Sequence, residues 1–312
     1  MFKYILSSET NYLLLICDDA GPGYARDMKW IPVYLDHIDS LSEEVVIIDP
    51  RVDQTEIAKI EQLLAGHPDT KFFLRIADPS YEDYKDHFYY NFLSKASLYK
   101  NAYLLSTYEP RGIVSEIKKK YSHRFIHLPY AYSKSKEVNP AQQRKNKIVL
   151  SGSLNENIYP YRTAIWRKVT RSPTRFLFFT VLKHPGYIDL GPNRNHAHSF
   201  VKNKFITFLS HSKYMLMCPS DYGIELLKFH ECAYAGCIPV GQAPDSYPPE
   251  IRDLFLRLRP DHLLSDVLRI IFRAHDNNSV SIFRTYLHRT HNADTLNKTF
   301  KHFIQTSEEP VN

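Results

Sequence analysis

The sequence predicts an α/β protein built from two halves, each on a parallel sheet. Apolar runs of strand length recur along the chain and end in polar, Gly- or Pro-broken turns. Between them lie segments with helical spacing, and such alternation implies parallel strands covered on both faces. The pattern pauses once, at 131–146, where Pro140 sits among Lys, Ser and Gln residues, and then starts again. That stretch reads as an interdomain linker.

In the first half, the run 12–17 (Tyr-Leu-Leu-Leu-Ile-Cys) has no polar face and predicts a strand buried on both sides. Asp18 and Asp19 follow, in a loop broken by Gly21, Pro22 and Gly23. Further strands are predicted at 45–48, 71–76, 102–106 and 125–128, with helices at 55–64, 81–98 and 113–121 between them. In the second half, strands are predicted at 147–150, 175–181, 214–218 and 237–240, and helices at 160–169, 203–210 and 226–235. Helices at 261–274 and 280–305 close the chain. The expected domains are 1–135, 136–290, and a C-terminal helix and tail at 291–312 packing back on the first. In open α/β sheets ligands bind outside the carboxyl ends of the strands, so the loops there are where function is sought.

Composition narrows the function. With 43% hydrophobic and 24% charged residues the chain is globular rather than disordered or fibrous. A net charge of +6 suits an anionic partner, but the basic residues are interleaved with acidic ones and no RNA- or DNA-binding motif is present, so nucleic acid is not expected. Cys17, Cys218, Cys232 and Cys237 lie in apolar segments without C-x-x-C spacing, as buried reduced thiols of a cytoplasmic protein do. The run 12–17 is too short for a signal peptide, and no run approaches the ~20 apolar residues of a membrane span. His196 and His198 lack a nearby third ligand, so no metal site is expected.

The most informative stretch is 217–240, Met-Cys-Pro-Ser-Asp-Tyr-Gly-Ile-Glu-Leu-Leu-Lys-Phe-His-Glu-Cys-Ala-Tyr-Ala-Gly-Cys-Ile-Pro-Val. It reads as a buried strand, a polar turn carrying Ser220, Tyr222 and Glu225, a helix stopped by Gly236, and a short strand. Lys228 and Glu231 share one helical face near the helix start. A helix N-terminus with a cation beside it is a seat for a diphosphate, and a carboxylate can accept hydrogen bonds from two ribose hydroxyls. By spacing alone, the same pair is more readily a surface ion pair.

This stretch resembles the donor-site segment of GT-B glycosyltransferases, in particular the exostosin-like and CgeB-like branches. The matching residues are Pro219-Ser220, Lys228, Glu231, Ala233, Ala235 and 236–240 (Gly-Cys-Ile-Pro-Val). The resemblance implies a GT-B fold, two Rossmann-like domains facing across a cleft, with Lys228 at the donor diphosphate and Glu231 at the ribose. It departs from the pattern at Gly223, where many such enzymes carry a glutamate; Glu225 is near but out of register. Two further patches carry the likeness: 148–153 followed by Tyr159-Pro160-Tyr161-Arg162, and His184-Pro185-Gly186-Tyr187. Gly152 allows close backbone approach, Arg162 can fork onto phosphate oxygens or simply serve the helix start, and His184 can meet a sugar hydroxyl, a phosphate or only its own turn.

The activity implied is transfer of a sugar from a nucleotide-sugar to a glycan, a lipid-linked glycan or another hydroxyl acceptor, as in polysaccharide biosynthesis. No Asp-x-Asp motif is present, so stabilisation by Lys, Arg and helix N-termini is expected in place of a metal or other cofactor. An inverting reaction needs a base on the acceptor side. Asp19 is the first candidate, with Asp18 beside it and Asp78 after the third strand as alternatives, although the loop of Asp18 and Asp19 can equally cap the next helix. The N-terminal half, basic and Tyr-rich, suggests peripheral association with the cytoplasmic membrane face. The competing expectation is a non-catalytic nucleotide- or sugar-binding protein on a degenerate GT-B fold.

Overall fold

The computed structural model describes residues 2–8, 22–38, 40–76, 87–182, 203–273 and 278–306. The chain divides into two compact units: unit 1, Met1–Tyr132 with His291–Asn312, and unit 2, Ser133–Thr290.

In unit 1 the strands β1 (Lys3–Leu6), β2 (Ile31–Tyr34), β3 (Val45–Ile48), β4 (Lys71–Ile76), β5 (Ala102–Ser106) and β6 (Phe125–His127) form one sheet. Its order is β2-β1-β3-β4-β5-β6, and every pairing is parallel. The helices are α1 (Pro22–Asp27), α2 (Ile57–Gly66), α3 (Phe88–Ala96) and α4 (Ile113–Tyr121). Successive strand residues face opposite ways. Ile5, Val46, Ile48, Phe72 and Leu74 pack with Ile60, Leu63 and Leu64 of α2, Phe92 and Leu93 of α3, and Val114 and Ile117 of α4.

Two strands escape a reading of periodicity. β1 and β2 have four residues each, and β2 carries Pro32 with two exposed positions. A proline lacks the N–H that a central strand needs and is tolerated at an edge, which is where β2 stands. The predicted strand 12–17 and residues 81–86 of the predicted helix 81–98 lie outside the described residues. α3 begins where His87 accepts a hydrogen bond from the Tyr89 N–H.

In unit 2 the elements are β7 (Lys145–Leu150), α5 (Pro160–Arg171), α6 (Arg175–Phe178), β8 (Phe179–Val181), α7 (Asn203–Ser210), β9 (Ser212–Met217), α8 (Leu227–Tyr234), β10 (Ile238–Gly241), α9 (Pro249–Arg252), α10 (Leu263–Phe272) and α11 (Asn278–Thr290). The sheet is parallel, in the order β10-β9-β7-β8. Ile148, Leu150, Tyr214, Leu216, Ile238 and Val240 bury against Ile165 and Val169 of α5 and Val267, Ile270 and Ile271 of α10. The predicted strand 175–181 is corrected in part. Its first four residues form one helical turn, α6, and only the last three pair with β7.

The predicted helix 280–305 is two helices. α11 ends at Thr290, and α12 (Ala293–Thr306) begins after Asn292, whose Oδ1 accepts from the N–H groups of Asp294 at 2.8 Å and Thr295 at 3.4 Å. An asparagine N-cap satisfies N–H groups that the first turn cannot. α12 belongs to unit 1, where Leu296, Phe300 and Phe303 are buried. The Phe300 ring lies 4.7 Å from that of Phe73, 5.0 Å from Phe2 and 5.4 Å from Trp30. Trp30 donates its indole N–H to Asn297 at 2.8 Å, and Asn297 donates to the Met28 carbonyl at 2.7 Å.

Candidate functional site

In each unit the strand order reverses beside the first strand, which opens a crevice at the carboxyl ends of two neighbouring strands. In unit 1 these neighbours are β1 and β3; in unit 2 they are β7 and β9.

At the unit 2 crevice, β7 runs into Ser151-Gly152-Ser153 and β9 into Cys218-Pro219-Ser220. Gly152 has φ +106°, and a Cβ there would lie 2.8 Å from Arg162 Nη1 and 2.8 Å from Lys228 Cε. The space that glycine leaves open is therefore filled by two cationic side chains. Arg162 projects from the first turn of α5, after Pro160 at the start of that helix. It is 1% exposed. Its Nη1 donates to the Ser153 carbonyl at 3.0 Å, and its guanidinium lies 4.2 Å from the Tyr159 ring centroid. Among the described residues, Arg162 Nε and Ser151 Oγ are buried and have no hydrogen-bond partner. Buried polar atoms without a partner are uncommon in folded proteins.

Lys228 stands in the first turn of α8, whose N-cap, Leu226, supplies no side-chain hydrogen bond. Its Nζ is 3.5 Å from Glu231 Oε2, and the two side chains are 24% and 19% exposed. The ammonium also lies 5.0 Å from the Phe205 ring centroid. Burial pulls the Lys228 pKa below the ordinary lysine value; Glu231 opposes the shift and Arg162 adds to it. A partly desolvated cation at an uncapped helix N-terminus attracts an anion strongly.

Ser220 and Tyr222 shape the approach to α8. Ser220 Oγ accepts from the Tyr222 N–H at 3.3 Å, its carbonyl accepts from Gly223 at 2.9 Å, and Asp221 donates to the Ile158 carbonyl at 2.8 Å. Glu225 is turned elsewhere, onto His230 Nε2 at 2.8 Å. So Gly152, Arg162, Lys228 and Glu231 come together, Ser220 and Tyr222 form the turn beside them, and Glu225 joins a separate pair. His184, Asp18, Asp19 and Asp78 lie outside the described residues. Ser151 and Tyr159 fall in the segments that carried the resemblance, without a role of their own, and Phe205 was missed. Phe205 carried no local signal, since only the fold sets its ring beside Lys228.

The unit 1 crevice holds a different arrangement. Arg51 grips Asp49 with two bonds of 2.9 Å, Tyr4 donates to Asp49 at 2.6 Å, and Arg75 Nη1 donates to Tyr4 at 2.6 Å. The Arg75 guanidinium is buried 4.1 Å from the Tyr24 ring centroid. Burial by itself would raise the Asp49 carboxyl; Arg51 and Arg75 outweigh it and hold the pKa below the usual range. Because these bonds lock β1, β3 and β4 together, the network is a clamp across the strands.

No family model matches the chain, and no curated protein does. Solved structures do. One, described as the GtfA/B complex, is 10% identical with a TM-score of 0.50, covering 88% of this chain and 59% of its own. Another, described as alpha1,3-fucosyltransferase, is 11% identical with a TM-score of 0.47, covering 99% of this chain and 92% of its own. The chain thus spans about 59% of the length of the first of these. At such identity the likeness is one of fold: the chain is α/β of the GT-B class, with two Rossmann-like units.

Proposed function

We propose that the chain is a glycosyltransferase whose unit 2 binds a nucleotide-activated sugar. The observation that carries this reading is the convergence of Gly152, Arg162, Lys228 and Glu231 at the unit 2 switch point. Lys228 neutralises the leaving diphosphate together with the α8 N-terminus, and Glu231 exchanges its ion pair for the ribose hydroxyls. Arg162, buried on Ser153, acts as a positioning residue that fixes the loop after β7 and adds positive potential behind it. The chemistry asks for no metal or other cofactor, since the charge on the leaving group is met by side chains and helix N–H groups.

The acceptor in this reading is a glycan, a lipid-linked glycan or a similar hydroxyl, with Asp19 as the base of an inverting reaction and Asp18 or Asp78 as alternatives. The exostosin-like and CgeB-like resemblance, carried by Ser220, Lys228, Glu231 and the segment 236–240, supports the donor half of the proposal. The free, buried thiols of Cys218, Cys232 and Cys237 accord with a reducing, cytoplasmic location.

The test is a thermal-shift screen against nucleoside diphosphates, followed by an assay of nucleotide release from the matching nucleotide-sugar. One nucleotide at 100 times its Kd should add roughly 2.7 kcal/mol of stability. Lys228→Ala and Glu231→Ala should abolish that gain, and release should persist in EDTA. If no nucleotide stabilises the chain, the donor-site reading fails. Binding without release would favour the non-catalytic alternative.

A further inference from the structure

We infer that α10 is a docking surface for an anionic lipid bilayer. A surface helix of a globular domain normally turns its apolar stripe inward and shows water a polar face. α10 does the first: Val267, Ile270 and Ile271 are in the core of unit 2. Its outer face departs from the pattern. Leu264 is 64% exposed, Leu268 38% and Phe272 76%. These residues follow one another at intervals of four and so form a single line along the helix.

Beside that line stand Ser265 and Arg269, with Arg273 just past the end of the helix, all three exposed. Arg269 donates to the Arg257 carbonyl at 3.1 Å, which places the exposed Arg257 segment next to these arginines. Two nearby carboxylates offset part of this charge: Asp266 is buried and shared by Arg259 and Arg269, and Asp261 pairs with Lys168 at 3.2 Å. Five cations (Lys168, Arg257, Arg259, Arg269, Arg273) against these two carboxylates leave the face positive. The face thus presents three large apolar side chains flanked by guanidinium groups.

Charge and size together select the occupant. Arginines flanking Leu and Phe suit the boundary between phosphate headgroups and acyl chains, where the apolar groups enter and the guanidinium groups reach the phosphates. A second copy of the chain is a poorer fit. Three side chains offer roughly a few hundred Å², against the ~800 Å² a side that a stable dimer buries. The surface lies in unit 2 and is independent of the nucleotide-binding proposal.

The experiment is co-sedimentation of the full chain with vesicles of phosphatidylcholine alone or with 30% phosphatidylglycerol (roughly one lipid in three, a typical anionic content), at low and high salt. The chain should bind the anionic vesicles at least about tenfold more tightly, with affinity falling as salt rises. Phe272→Ser with Leu264→Ser, and separately Arg273→Glu, should each weaken binding about tenfold or more. All these side chains are exposed, so the melting temperature and any nucleotide-induced shift should stay as they are. Absence of vesicle binding would overturn the inference. So would binding that survives both variants, or a dimer in light scattering that Phe272→Ser dissolves.

Discussion

The carboxylate of Asp245 occupies the space in which a side chain at position 223 would begin. A Cβ on Gly223, where φ is +68°, would meet Asp245 Oδ2 at 2.2 Å, and the Asp245 N–H donates to the Gly223 carbonyl at 2.9 Å. The turn before α8 is therefore built around a residue without a side chain, so a glutamate at 223 is incompatible with it. Gly223→Ala should cost on the order of 1–3 kcal/mol in urea unfolding through left-handed strain and displacement of Asp245. Adding Asp245→Ala should recover part of that loss. Additive costs in the double variant would contradict the packing described.

Lys228 should impose a pH dependence on anion binding. Its folded pKa lies below the ordinary lysine value because burial outweighs the help from Glu231. Calorimetry with a nucleoside diphosphate should therefore show affinity falling as pH rises, at a midpoint below the usual ~10.4. Glu231→Gln removes the group that favours the ammonium, so its midpoint should move lower still. Lys228→Arg should keep affinity flat through the same range. A midpoint that ignores Glu231→Gln would detach the pair from the binding event.

Helix α12 should be indispensable to unit 1. Phe300 is fully buried among Phe2, Trp30 and Phe73. Phe300→Ala should cost about 3–5 kcal/mol, the range for emptying an aromatic site in a core. Lys29→Ala removes only an exposed ion pair to Asp294 on the same helix and should cost under about 1 kcal/mol. Comparable losses from the two would refute the packing account.

Asp266 should govern part of the acid limb. Hydrogen bonds from Arg259 hold its pKa at about 2, below the ordinary 3.8, with burial opposing the shift. A depressed carboxyl stabilises the fold above its unfolded pKa and loses that contribution as pH falls through the folded value. Between about pH 4 and pH 2 the wild-type chain should lose on the order of 2 kcal/mol from this group. Asp266→Asn should begin less stable and lack that portion of the decline. Parallel acid profiles for the two proteins would exclude the assignment.

Local pattern determined much of this protein. The strand 71–76 and the helix 113–121 coincide with β4 and α4, because a run buried on both faces and a 3.6-residue stripe are written in consecutive residues. The pairing of Lys228 with Glu231 was legible for the same reason, since one helix turn relates them. Asn292, an N-cap in the middle of a predicted helix, was a readable break that periodicity overrode. β2, with Pro32 and two exposed positions, did not announce itself, and the short run of β1 went unread. Tertiary structure alone decided what surrounds Lys228. β7 and β9 are neighbours in the sheet although β8 lies between them in the chain, and that strand order brings Gly152, Arg162 and Lys228 to one point. The same holds for Tyr4, Asp49 and Arg75, gathered from β1, the turn after β3, and β4. Periodicity records which way each residue faces; only the order in which strands pair determines which distant residues face each other.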